Sequence, residues 1–167
     1  MKTAIVYFSK YGTTEKVAHL IGEQLNWDEV YYISLKTNKT PDIKAYDKII
    51  IGTSIYAGNP AKAIKNFCNK NKHILESKKI GLYICCMEKQ KGQEQLENAY
   101  PAYLQNIAIA KGIMGGEFLF DKMNFLERFA IKRIAKTDIS ISNINKEAIR
   151  LFSDRMMTRD GTDIRTI

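Results

Sequence analysis

The chain has 167 residues, 45% of them hydrophobic and 26% charged, which suits one folded domain over 1–167 with its own core and excludes a disordered chain. No apolar run approaches the roughly 20 residues that a membrane-spanning helix needs. Twenty-six Lys and Arg against eighteen Asp and Glu leave a net charge of +8, which invites an anionic partner without choosing between nucleic acid, membrane surface and acidic protein.

In chain order, short β-rich runs alternate with helical periods. Thr3–Phe8 is a continuous apolar run. It leads straight into Ser9-Lys10-Tyr11-Gly12 with no small-residue cleavage site, so it reads as a first strand rather than a signal peptide, and the expected location is the cytoplasm. Val17, Ile21 and Leu25 mark a helix over Thr13–Leu25. Glu29–Ser34 and Asp47–Ser54 are the second and third strands, the latter built on Ile49-Ile50-Ile51. Asn59-Pro60 reads as a helix start, and Ala61, Ile64, Phe67 and Cys68 form that helix's apolar face. Lys79–Met87 is the fourth strand, and a helix is expected over Gln93–Leu104, with Pro101 near its end. Ile107–Phe118 is the fifth strand, weakened by Gly112 and Gly115-Gly116, and Asn145–Met157 is the last helix. Asp121–Lys136 is additional to this alternation.

Strands alternating with helices imply parallel pairing through right-handed crossovers, with both sheet faces covered. Cys68, Cys85 and Cys86 have no ligand-like spacing, so buried thiols are expected and no metal site. His19 and His73 read as surface residues, and no acid–base pair stands out, so no catalytic residue is assigned.

The informative motif is Ser9-Lys10-Tyr11-Gly12-Thr13-Thr14, placed between the first strand and the first helix. A helix N-terminus offers unpaired N–H groups and a partial positive charge, which suit a phosphate. The hydroxyls of Ser9, Thr13 and Thr14 would add donors, and Gly12 would let the backbone turn closely. A capped helix after an ordinary turn is the competing reading. Neither G-x-G-x-x-G nor G-x-x-x-x-G-K-[ST] occurs, so the common dinucleotide and nucleoside-triphosphate loops are excluded. A phospho-receiver domain would need acidic residues at the ends of strands one and three, where this chain has Ser9-Lys10 and Gly52-Thr53.

Ser9-x-x-Gly12-x-Thr14 resembles the phosphate loop [ST]-x-T-G-x-T of the flavodoxin family, with Tyr11 in place of the central threonine. Within that family the chain is most similar to the long-chain flavodoxin-like, menaquinone-dependent protoporphyrinogen dehydrogenases. Tyr46-Asp47, Ile51-Gly52-Thr53-Ser54-Ile55, Gly58, Asn98-Ala99-Tyr100 and the basic aromatic segment carry the likeness, and Tyr56 replaces an arginine frequent there. The resemblance implies an α/β, flavodoxin-like three-layer sandwich. Its five-stranded parallel sheet would have order 2-1-3-4-5, with the basic helical segment added after strand five. It also implies one FMN, bound outside the carboxyl ends of the strands at the switch point.

The residues expected to bind it are Ser9, Lys10, Tyr11, Gly12, Thr13 and Thr14 at the phosphate. Thr53, Ser54, Ile55, Tyr56, Ala57 and Gly58 would lie beside the ring system, and Cys86, Met87 and Glu88 at its pyrimidine edge. Tyr56 offers a face for stacking, with a plain surface tyrosine as the alternative. Lys122–Lys136 places five basic residues with Phe125 and Phe129 on one side of a helix, and Met123, Leu126, Ala130 and Ile134 on another. Such a helix either packs by both apolar stripes or docks on an anionic membrane surface, peripherally at the inner face. The function expected is an FMN-dependent oxidoreductase passing electrons from a porphyrinogen-type or other reduced substrate to a quinone, with a small molecule or a protein as redox partner. The alternatives are a soluble electron-transfer flavodoxin with no substrate of its own and a basic nucleic-acid-binding module. The last has no groove-reading motif, and no nucleic acid is expected.

Overall fold

The apolar runs become strands, and the helical periods between them become crossovers, in a computed structural model that describes residues 1–88, 90–135 and 139–158. The first half contains β1 (Lys2–Phe8), α1 (Thr13–Gln24), β2 (Glu29–Ser34), β3 (Lys48–Tyr56), β4 (Asn59–Pro60), α2 (Lys62–Lys70) and α3 (Lys72–Leu75). The second contains β5 (Lys79–Cys85), α4 (Gly92–Ala99), α5 (Ala102–Ile107), β6 (Ala108–Ile113), β7 (Gly115–Phe118), α6 (Phe125–Ala135), β8 (Ile141–Ile144) and α7 (Lys146–Met157). The main sheet runs β2-β1-β3-β5-β6, all parallel, which is the expected 2-1-3-4-5 order of the long strands.

Alternation along β3 and β5 divides the core between two layers. Ile49, Ile51, Leu82 and Ile84 face Ile64 and Phe67 of α2 and Leu96 and Leu104 of α4 and α5. Ile50, Tyr83 and Cys85 face the opposite way, with Ile5 and Tyr7, onto Val17 and Ile21 of α1 and Phe152 and Met156 of α7. Each fully buried isoleucine removes apolar surface worth about 1.5–3 kcal/mol from water, so the central strands anchor everything attached to their ends.

Three boundaries differ from the sequence reading. The expected fifth strand is two: β6 stays in the sheet, whereas β7 turns away and pairs antiparallel with β8. Gly115 allows the turn at φ 72°, where a Cβ would sit 1.9 Å from the Asn143 carbonyl oxygen. Asn59-Pro60 does not start a helix. Ala57 and Gly58 both have positive φ, and this two-residue turn folds Asn59 and Pro60 back onto Tyr56 and Ile55 as β4. The Asn59 side-chain amide donates to the Ala57 carbonyl at 3.0 Å, closing that turn, and α2 begins after Ala61. The helix expected over Gln93–Leu104 breaks into α4 and α5, because the residue before a proline is pushed to extended backbone. The break lowers Tyr100 into the core, where its hydroxyl shares one proton between the Ile51 and Tyr83 carbonyls.

Candidate cofactor site

The loop after β1 is held by its own side chain. Ser9 is buried, and its Oγ accepts the Gly12 N–H at 3.0 Å. Gly12 then turns at φ 107° and starts α1 without any side-chain cap, the first helical bond running from Lys16 N–H to the Gly12 carbonyl at 2.9 Å. The capped-helix alternative is therefore not what forms. Thr14, fully buried in the first turn, has a hydroxyl with no hydrogen bond of ordinary geometry, although it stands close enough to the Cys85 thiol to favour the thiolate slightly against burial. Leaving a buried hydroxyl unsatisfied costs about 1–3 kcal/mol, a cost that a ligand accepting from it would remove.

A tyrosine from the middle of the sheet sets the height of this loop. The Tyr83 hydroxyl donates to the Thr14 carbonyl at 3.0 Å from a fully buried position. Its ring fits only because the neighbouring strand carries Gly52, where a Cβ would lie 2.0 Å from Tyr83 Cζ. Gly52 on β3, Tyr83 on β5 and Thr14 on α1 thus form one stack that ties the helix start to the strand ends.

A cleft opens above the strand ends, against this loop. Of the residues expected at the site, Ser9, Lys10, Tyr11, Thr13 and Thr14 line one wall. Ser54, Ile55 and Tyr56 line a second, and Cys86 and Met87 line the base. Gly12 borders a separate recess on the outer side of the loop, and Thr53, Ala57, Gly58 and Glu88 stand outside the cleft lining. Thr53 is buried and ties chain segments together, its hydroxyl accepting the Ala61 N–H at 3.2 Å. Tyr56 is 42% exposed and forms the rim with Tyr11, the ring centroids 6.4 Å apart at 61°. The Lys10 ammonium lies 3.5 Å from the Tyr56 ring centroid, a cation on an aromatic face. Burial pushes the Cys85 thiol up to about 12 and the Cys86 thiol up to about 11, so both are neutral near pH 7.

Gly116, Glu117, Phe118 and Met123 complete the cleft from β7 and the turn after it, and sequence reasoning missed them. Their signal was the Gly115-Gly116 pair, which announces a departure from the sheet. A Cβ on Gly116 would come within 3.0 Å of the Cys86 backbone, so the second glycine lets β7 close over the strand ends. Glu117 is 4% exposed at its side chain and gathers three donors: Lys16 Nζ at 2.8 Å, Ser142 Oγ at 2.7 Å and Thr13 Oγ1 at 3.2 Å. Burial works against its charge, but the bonds from Lys16, Ser142 and Thr13 outweigh it and hold the carboxyl below its usual range.

The remaining candidates lie away from the cleft. His19 is exposed on α1 and stacks on Tyr32, with ring centroids 4.1 Å apart, and His73 is exposed with its Nδ1 4.0 Å from Glu76. On α6, Phe125 is 82% exposed, Leu126 75% and Phe129 60%, so those three side chains do not pack on the core. Met123 is buried in the turn before α6. Lys89, Lys136 and the side chains of Ala130 and Ile134 lie outside the described residues. Among the described residues no cluster of His, Cys, Asp and Glu could hold a metal ion, and no helix is long and apolar enough to cross a membrane.

Residues 4–143 match the flavodoxin domain family. The protoporphyrinogen IX dehydrogenase [quinone] of Escherichia coli (strain K12) is 22% identical over 157 residues, covering 89% of this chain and 87% of that protein. Among solved structures, oxidised flavodoxin 1 from Bacillus cereus superposes with a TM-score of 0.56 at 16% identity, over 93% of this chain and 96% of that one. The Streptococcus pneumoniae TIGR4 flavodoxin superposes with a TM-score of 0.54 at 17% identity, over 93% and 97% of the two chains.

Proposed function

The chain belongs to the flavodoxin domain family, and from that premise we propose that its cleft binds FMN and that the loaded protein is an oxidoreductase. FMN is the cofactor of the family, and the residues present suit it. The observation that carries this reading is the buried, unsatisfied Thr14 hydroxyl at the start of an uncapped helix, under a glycine at φ 107°. A phosphate there would accept from Thr14, from Ser9 and from the open N–H groups of the first turn. Ile55, Tyr56 and Met87 would flank the ring, and the neutral Cys86 thiol adds no charge beside it. When bound, FMN supplies the electron-accepting ring, and the protein binds, orients and shields it.

Two features favour an enzyme acting on a lipid-soluble partner over a freely diffusing carrier. The net charge is +8, and α6 presents Phe125, Leu126 and Phe129 to solvent beside Arg128, Lys132 and Arg133. Exposed aromatics among cations suit an anionic membrane surface, from which a quinone or a porphyrinogen-type substrate can be reached. The likeness to the Escherichia coli quinone-linked dehydrogenase supports the same substrate class.

The test is reconstitution. Purified apo-protein titrated with FMN should quench the flavin fluorescence at one equivalent, and the bound flavin, once reduced with dithionite, should be reoxidised by a quinone analogue. Preference for FAD, or no flavin binding, would overturn the cofactor assignment. Reoxidation by protein carriers with quinone inert would favour the carrier instead.

A further inference from the structure

Lys122 lies in the short 3-10 turn Phe120–Lys122 after β7, just before α6, in the segment added to the basic fold. The sequence grouped it with the cations of that helix, but its ammonium comes down on the loop after β1. A Cβ built on Gly12 would lie 3.1 Å from Lys122 Nζ, and Lys122 shares the outer recess with Ser9, Gly12 and Lys36.

The loop meets a phosphate chiefly with neutral groups, backbone N–H and the hydroxyls of Ser9 and Thr14, since its own cation, Lys10, lies over the Tyr56 ring and the Thr13 hydroxyl donates to Glu117. Two acids stand near it, and one of them, Glu15, borders the same recess as Lys122. Glu117 is bound to Lys16 and to Thr13 itself, and Glu15 accepts the Tyr7 hydroxyl at 2.8 Å. Lys16 therefore answers Glu117, and a cation on the outer side of the loop would add attraction to what the helix N-terminus already supplies to a phosphate. We infer that Lys122 is that cation: a phosphate-binding residue supplied by the inserted segment across Gly12. The inference rests on the FMN reading above. A lysine suits this place, since it acts as a point charge on a flexible stem and needs no planar pairing. It also gives the insertion a second task, because the segment that carries α6 would then help to retain the cofactor.

The experiment titrates apo-protein with FMN and with riboflavin, by fluorescence quenching, at low and high salt. The variants are Lys122→Met, Lys122→Arg and a remote control on α7, Lys146→Met, each checked for native unfolding behaviour. Lys122→Met should weaken FMN about tenfold at low salt and leave riboflavin within about twofold, in keeping with one solvent-screened charge-assisted contact. It should also flatten the salt dependence of FMN binding, while Lys122→Arg retains most of the affinity and Lys146→Met matches wild type. Equal loss of both flavins would make Lys122 a structural tether and overturn the inference. So would unchanged FMN affinity in Lys122→Met, and both results leave the FMN reading standing. A wild type that binds neither flavin would remove that reading and this inference with it.

Discussion

The centre of the sheet and the segment between β7 and β8 solve opposite problems. In the centre, Ile50, Ile51, Leu82 and Tyr83 are fully buried, and even the glycines are used, Gly52 admitting the ring that holds Thr14 in place. Across the inserted segment, Met123 reaches the cleft while Phe125, Leu126 and Phe129 of α6 stand in water. Burial explains the apolar residues named in the first region and fails for Phe125, Leu126 and Phe129. The contrast teaches that stability selects the central residues, whereas large exposed apolar groups on α6 need a partner to account for them.

The strongest test of that contrast is Tyr83→Ala. It deletes a fully buried aromatic and the bond to Thr14, and should lower stability by about 3–5 kcal/mol in denaturant unfolding. Tyr83→Phe keeps the ring and should cost only about 1 kcal/mol. If the two variants were equally unstable, the stack from Gly52 to Thr14 would be wrongly described.

Thr14→Val separates site from core. The apo-protein should not lose stability, because the hydroxyl removed is unsatisfied, but FMN binding should weaken by about 1.5–3 kcal/mol with riboflavin nearly unchanged. A loss shared equally by both flavins would place the phosphate elsewhere.

On α6 the expected pattern inverts. Phe125→Ser with Phe129→Ser should change stability by no more than about 0.5 kcal/mol per site, as at other exposed positions. Sedimentation with anionic vesicles should nonetheless fall, as it should for Lys132→Glu with Arg133→Glu, each cation near the surface contributing about 1 kcal/mol. Wild type that ignores anionic vesicles at low salt would leave the exposed face to a protein partner.

The smallest effect belongs to the join between the two regions, Glu117. Its folded carboxyl titrates below the ordinary 4.5, so it adds stability above that pH and loses it as the pH falls through the lower, folded value. Glu117→Gln should therefore be less stable than wild type at neutral pH, and the gap should narrow under acid. A constant gap across that range would show that the carboxylate's charge is not what ties β7 to α1.

Much of this was legible in the residues. β-branched runs separated by helical periods determined the parallel pairing, since right-handed crossovers leave few alternatives, and the resemblance carried by the loops supplied the strand order. The loop after β1 was visible because hydroxyls and a glycine between strand and helix have local consequences. Local rules failed where a residue had two uses. Asn59-Pro60 has the chemistry of a helix start, but Ala57-Gly58 spends it on a hairpin. Phe125 and Phe129 fitted core and surface equally well by periodicity, and only their exposure distinguished the two.

The sequence by itself therefore determined the alternation of strands and helices, their parallel pairing and the place of the glycine and hydroxyl loop after β1, all set by periodicity and backbone chemistry within a few residues, while the resemblance supplied the strand order. Only the tertiary structure decided that Tyr83 would support Thr14, that Glu117 and Met123 would close the cleft, and that Lys122 would reach Gly12. Tyr83 and Thr14 are 69 positions apart and Lys122 and Gly12 are 110 apart, and how such distant residues meet depends on packing, which no local pattern encodes.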